Sequence, residues 1–207
     1  MQPVVDFWIE LASSYSYPAA LRIAPLAEAA GVALRWRPFL LGPIFRAQGW
    51  DSSPFNLYPA KGRYMWRDLA RICADLGLPL KPPDPFPQPP LLAARVALVG
   101  LAEGWGEAFC RAVYAAEFGD GEPIDNADGL GEVLRHIGVL PGPALARAQS
   151  DAIKAQLRNE TEEAGRLGIF GAPSFVTADG ELFWGNDRLE AALAWAKRDS
   201  RSALTFE

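Results

Sequence analysis

Apolar residues run almost without a break from Val4 to Ile9, a short β-rich stretch that predicts a buried strand. Beyond Ser13-Ser14-Tyr15-Ser16, apolar Ala20, Leu21, Ile23, Ala24, Leu26 and Ala27 recur at helical spacing up to Gly31. That pattern predicts a helix with a glycine stop. Val32 to Leu40 alternates and predicts a second strand. Strand, helix and strand in that order normally close a right-handed parallel crossover.

From Gly42 to Pro59 the chain has the character of a loop, and Arg63 to Leu76 predicts a helix stopped by Gly77. Seven prolines between Pro79 and Pro90 read as a stiff linker. Helical segments follow at about Leu91–Glu103, Glu107–Phe118, Asp128–Ile137, Pro143–Ser150 and Asp151–Leu167. The chain then reverts to β. Ser174–Thr177 and Glu181–Trp184 predict a hairpin through Ala178-Asp179-Gly180, and Asn186 or Asp187 is expected to cap a closing helix from about Arg188 to Lys197. The expected fold is α/β, a thioredoxin-like βαβ…ββα domain with an inserted all-helical subdomain. Residues 1–45 and 168–207 would form the first and residues 46–167 the insertion.

Composition narrows the function. Half of the 207 residues are apolar and the formal net charge is -5, so nothing in the bulk electrostatics favours nucleic acid or an anionic membrane. Asp6 and Glu10 interrupt the first ten residues with no preceding Lys or Arg, and the longest apolar stretch, Leu91 to Ala102, is short and broken by Arg95. A cytoplasmic protein is expected. Two cysteines, Cys73 and Cys110, are too few for a metal cluster and offer no disulfide framework.

Four segments carry candidate chemistry. Ser13-Ser14-Tyr15-Ser16 precedes a helix, where free backbone N–H groups and the macrodipole favour anions and thiolates. Serines there are also ordinary caps. Gly171-Ala172-Pro173-Ser174 precedes a strand, which suits a cis-proline loop whose residue 172 can pair with a peptide-like ligand; an ordinary trans proline at a strand start is the other reading. Trp184-Gly185-Asn186-Asp187-Arg188 offers polar groups to a ligand's ammonium and carboxylate, or simply a cap. Lys61 is either an anion ligand or solvated surface.

Taken together, the four segments resemble the 2-hydroxychromene-2-carboxylate isomerase family and the related kappa-class glutathione transferases, both DsbA-like thioredoxin-fold proteins. The resemblance runs through Val5-Asp6-Phe7, Ser13 with Ser16-Tyr17, Pro59-Ala60-Lys61, Tyr64-Met65-Trp66-Arg67-Asp68-Leu69, Gly171-Ala172-Pro173 and Trp184-Gly185-Asn186-Asp187-Arg188-Leu189. It implies glutathione as cofactor. The Ser13 hydroxyl would hydrogen-bond its sulfur, and Ala172 would pair with its cysteinyl unit beside a cis Pro173. Asn186 and Asp187, with Trp184 beside them, would receive the γ-glutamyl end. Lys61 and Asn56 would lie near the glycyl carboxylate or the substrate acid. Relatives also suggest a homodimer. Many family members have proline after the serine; Ser14 here implies a less rigid turn.

The chemistry implied is isomerisation of an aromatic-degradation intermediate, a 2-hydroxychromene-2-carboxylate giving trans-o-hydroxybenzylidenepyruvate. Rotation about a carbon–carbon double bond needs a nucleophile that adds and leaves; a thiolate does this, whereas Ser13 has no visible base to activate it. Ser13 is therefore expected to stabilise the thiolate, and His136, the only histidine, to lie at the surface. Phe45, Trp50, Tyr64 and Trp66 are candidate walls for a small aromatic substrate. The alternatives are a kappa-class-like transferase or peroxidase and a non-catalytic thioredoxin-fold binding module. A dithiol–disulfide oxidoreductase is disfavoured by the absence of a thiol at position 13.

Overall fold

The computed structural model describes residues 2–198. Of the segment 168–207 expected to complete the thioredoxin-like domain, residues 199–207 lie outside the described residues. Four strands, β1 (Val4–Ile9), β2 (Ala33–Pro38), β3 (Ser174–Thr177) and β4 (Leu182–Trp184), form one sheet in the order β2-β1-β3-β4. β1 runs parallel to β2 and antiparallel to β3. The helix α1 (Ser16–Ala30) makes the β1–β2 crossover and ends at Gly31 with φ 69°, a left-handed stop that costs a glycine nothing in sterics. The β2-β1-β3-β4 order and the crossover helix are those of the expected thioredoxin-like fold, with a helical region between β2 and β3.

Alternate residues of β1 enter two different cores. Val5, Phe7 and Ile9 join the main cluster, where Phe7 stacks on Phe175 at 5.2 Å and meets Trp36 edge-on at 4.8 Å. Trp8 points the other way, into a smaller cluster with Phe39, Ile44, Ala164, Ile169, Ala172 and Val176. A strand buried on both faces reads as a continuous apolar run rather than an alternation. Its one polar residue, Asp6, is half-buried and pairs with Arg35 on the neighbouring β2.

The region from 41 to 59 is not the loop expected. It holds α2 (Leu41–Ala47), α3 (Pro54–Leu57) and the start of α4 (Pro59–Leu76). The prolines that suggested a loop occupy first turns, where the missing N–H costs nothing. Ser53 Oγ caps α3 by accepting from Phe55 N at 3.3 Å. Nor is the proline-rich segment a detached linker. Leu78, Leu80 and Phe86 pack on the main core, and Gln88 is buried, donating to Glu122 O and accepting from Ile124 N.

The remaining helices are α5 (Leu91–Glu103), α6 (Gly106–Tyr114), α7 (Ala127–His136), α8 (Pro141–Ala148), α9 (Asp151–Arg166) and α10 (Leu189–Ala196). A π-helical turn, Ala115–Asp120, prolongs α6. One core serves both the sheet and the helices, since Phe7 and Phe175 share a cluster with Ala97, Phe109 and Leu130. No helix among the described residues is long and apolar enough to cross a membrane.

The α3–α4 corner depends on Gly62. A Cβ there would come within 2.4 Å of the Phe55 carbonyl oxygen, an atom fixed in the backbone. Gly62→Ala should lower stability by about 1–3 kcal/mol, the usual cost of overpacking, read as a fall in Tm. An unchanged Tm would mean that the corner opens without penalty.

Candidate functional site

The chain leaves β1, turns through residues 11–15 and enters α1. The turn is tied by backbone hydrogen bonds from Ser13 N to Glu10 O (2.9 Å) and from Ser16 N to Ser13 O (3.1 Å). Ser13 thus lies just ahead of the amino end of α1, whose first turn carries no acidic residue to offset the positive end of the helix dipole. Because β3 is antiparallel to β1 and Trp8 pairs with Ser174, the loop entering β3 lies beside the turn leaving β1. The Ser13 hydroxyl donates to Ala172 O at 3.0 Å, and the Ala172-Pro173 peptide bond is cis.

These groups open into a cleft of about 1280 Å³. The turn and the proline loop supply Ser13, Ser14, Gly171 and Ala172; α2 and the stretch after it supply Phe45, Arg46 and Trp50. From α4 come Lys61, Tyr64 and Asp68, and from the carboxy-terminal hairpin Trp184, Asn186 and Asp187. Phe86 and the prolines that follow it, Pro87, Pro89 and Pro90, close one wall. Trp66 is not on the wall: it packs edge-on against Phe86 at 4.8 Å within the core. Phe170 and Trp184 meet edge-on at 4.9 Å and are both half-exposed at the mouth. Gly171 permits this arrangement, since a Cβ there would come within 2.4 Å of Trp184 Nε1.

Neighbouring elements fix the polar groups individually. Ser14 Oγ donates to the buried Met65 Sδ at 3.0 Å, and Tyr15 Oη donates to Asp68 Oδ2 at 3.0 Å, so the turn is pinned to α4 at two points. The turn is therefore braced without a proline at position 14. Asn186 does not cap α10, and neither does Asp187: residues 186–188 form a 3-10 turn and the helix begins at Leu189 without a side-chain cap. Asn186 is instead buried, its Oδ1 accepting from Arg22 Nε at 3.0 Å and its carbonyl oxygen from Arg22 Nη2 at 2.5 Å. Arg22 also pairs with Glu190. Lys61 lies in the first turn of α4, its ammonium 4.8 Å from the Tyr58 ring. Asn56 is exposed outside the cleft lining, donating to Ser52 Oγ and Phe86 O at 3.3 Å each, because α3 turns Phe55 inward instead. Pro173 stands behind Ala172 rather than on the wall.

Arg46 and Glu10 are wall residues with no counterpart among the sequence candidates. Glu10 is buried and lines the cleft, with Oε2 accepting from Ala12 N at 3.0 Å. Burial pushes its pKa up to about 8 against the hydrogen bond from Ala12. Glu117, in the π-helical turn, is fully buried and neither of its carboxyl oxygens has a hydrogen-bond partner. Burial first, and then the nearby Glu10, raise its pKa well above the ordinary range.

Residues 4–194 match the DSBA-like thioredoxin domain. The chain belongs to that family. It is 29% identical over 191 residues to a 2-hydroxychromene-2-carboxylate isomerase of Sphingobium xenophagum, covering 92% of this chain and 96% of that one. It is 28% identical over 203 residues to a glutathione S-transferase kappa 2 of Caenorhabditis elegans, covering 90% and 88%. Among solved structures, a 2-hydroxychromene-2-carboxylate isomerase superposes with a TM-score of 0.82 at 26% identity, covering 93% and 95%.

The buried acids give a pH signature. Folded Glu10 keeps its proton up to about pH 8, whereas the unfolded chain releases it near its ordinary value of 4.5. The stabilisation is complete at acid pH and is lost as pH rises between these two values. Tm should decline across that window and the decline should be shallower in Glu10→Gln. Identical profiles in the two proteins would show that Glu10 is ionised in the fold.

Proposed function

We propose that this protein is a glutathione-dependent isomerase acting on aromatic ring-opening intermediates of the 2-hydroxychromene-2-carboxylate type. The observation that carries the reading is Ser13 facing Ala172 across a helix amino end, in a chain similar over nearly its whole length to proteins named as that isomerase. Its substrate would be a small aromatic acid.

The residues fit the cofactor's chemistry. Glutathione is an extended tripeptide with an amino-acid group at one end, a carboxylate at the other and a thiol between. The cleft offers Asn186 and Asp187, Lys61, and Ser13 with the Ala172 backbone in matching roles. When bound, it supplies a thiol nucleophile that adds reversibly to a conjugated acceptor. Ser13 holds the sulfur's charge by re-aiming its hydroxyl from Ala172 O, aided by the positive end of the α1 dipole. The apolar wall of Phe45, Trp50 and Tyr64 receives the aromatic ring, while Lys61 and Arg46 meet the substrate's carboxylate.

A kappa-type transferase is the second reading, favoured by the similarity to the nematode kappa protein. Turnover of chlorodinitrobenzene without isomerisation of the chromene acid would select it. Binding of glutathione with neither activity would select a binding module.

Calorimetric titration with reduced glutathione should show saturable binding, and none at millimolar ligand would overturn the assignment. Ser13→Ala should keep the fold and lose about 1.5–3 kcal/mol of transition-state stabilisation, roughly tenfold to a hundredfold in rate. Full activity in Ser13→Ala, with loss in Ser14→Ala or Ser16→Ala, would shift the site along the turn.

A further inference from the structure

Two carboxyls at the root of the turn have no part in that account. Glu10 follows β1 directly, and its backbone oxygen accepts from both Ser13 N and Tyr114 Oη at 2.9 Å, which fixes it against the turn that carries Ser13. Its side chain is buried yet faces the cleft. Behind it lies Glu117, sealed in the core with both oxygens unpartnered. Neither carboxylate makes an ion pair among the described residues. From α1 the unpartnered Ser16 hydroxyl is buried close by, and α6 contributes Tyr114 and the buried thiol of Cys110. Across the cleft the ionisable groups are Arg46 of α2, Asp51 after it, Lys61, Tyr64 and Asp68 of α4, Tyr15 in the turn and Asp187 beyond β4. Two acids sharing a dry interior without a cation cannot both ionise.

We propose that Glu10 is the proton store of this site, accepting the proton of a cofactor thiol that ionises beside Ser13. The pair formed by the thiol and Glu10 then carries one negative charge, on sulfur or on Glu10 but never on both. In that exchange the S–H bond breaks, its electron pair stays on sulfur, and an O–H bond forms on Glu10; release of the cofactor as thiol reverses each change. Glu117, sealed from the cleft, keeps its own proton while Glu10 is charged, because burial and then that charge raise its pKa, and it takes no part in the exchange. Burial holds the pKa of Glu10 at about 8, close to that of an ordinary thiol, ~8.5. Donor and acceptor are thus nearly matched, the condition under which proton exchange is cheap in both directions. The inference rests on the glutathione reading of the same cleft and supplies the base that the sequence did not reveal.

Infrared spectra follow the carbonyl stretch of a protonated carboxylic acid directly, without reference to turnover. In the free protein this band should fade around pH 8. With saturating reduced glutathione it should persist at least about one pH unit higher, because interacting sites titrate as a pair. S-methylglutathione, which has no proton to give, should bind and leave the band where it was. An equal shift with S-methylglutathione would mean that occupancy merely dries the site, and would overturn the proposal even if no variant folds. Among variants, Glu10→Gln should lose the shifting band, whereas Glu117→Gln should retain it. The reverse pattern assigns the proton to Glu117 and overturns the proposal. Calorimetric binding of glutathione with an unmoved band sinks the proton store alone; absence of binding sinks the cofactor reading and this inference together.

Discussion

The antiparallel register of β1 and β3 is the constraint on which the site depends. Trp8 opposite Ser174 brings the exit of one strand to the entrance of the other, so two segments 159 residues apart in sequence meet where Ser13 donates to Ala172. β1 has no freedom to slip. A one-residue shift would exchange Phe7 and Trp8 between two different cores, each fitted to its own ring. Packing on both faces of one strand therefore sets the distance between the reactive turn and the loop opposite it.

The electrostatics of the cleft follow from what is kept out of it as much as from what lines it. The amino end of α1 has no acidic residue in its first turn, and burial raises the pKa of Glu10, the carboxyl at the root of the turn, to about 8. The stability that burial of Glu10 and Glu117 sacrifices is local, and the doubly packed strand nearby supports it. This is the usual division in proteins whose scaffold is over-determined and whose site is strained or poorly solvated.

The sheet, the crossover helix, the proline loop and the carboxy-terminal hairpin could be read from the chain because each has a local signal. Strand periodicity, a glycine stop and an Asp-Gly turn do not depend on distant partners. The stretch from 41 to 59 could not be read so, because Pro43, Pro54 and Pro59 are equally at home in a loop and in the first turn of a helix. The proline run from 79 to 90 holds no helix or strand, as its composition implies, but its packing could not be read, because its burial comes from Phe86 and Gln88, which find their partners only in the tertiary fold. Ser13, Lys61, Ala172, Trp184, Asn186 and Asp187 all reach one cleft, while Asn56 is turned aside by the pitch of α3. Glu10 gave only a weak clue, a lone carboxylate at the end of an apolar strand. Glu117 gave none, since a glutamate in a helical pattern is normally solvated.

The bond from Ser14 to Met65 has a consequence for how this turn can vary. A proline at position 14 would stiffen the backbone by itself and needs no acceptor on α4, whereas serine is rigid only while a sulfur or another soft acceptor lies at position 65. The two positions therefore form one unit of inheritance. A substitution at either is neutral or harmful according to what the other holds, and drift between the serine and proline forms of the turn must pass through a pairing in which one partner is left without its match.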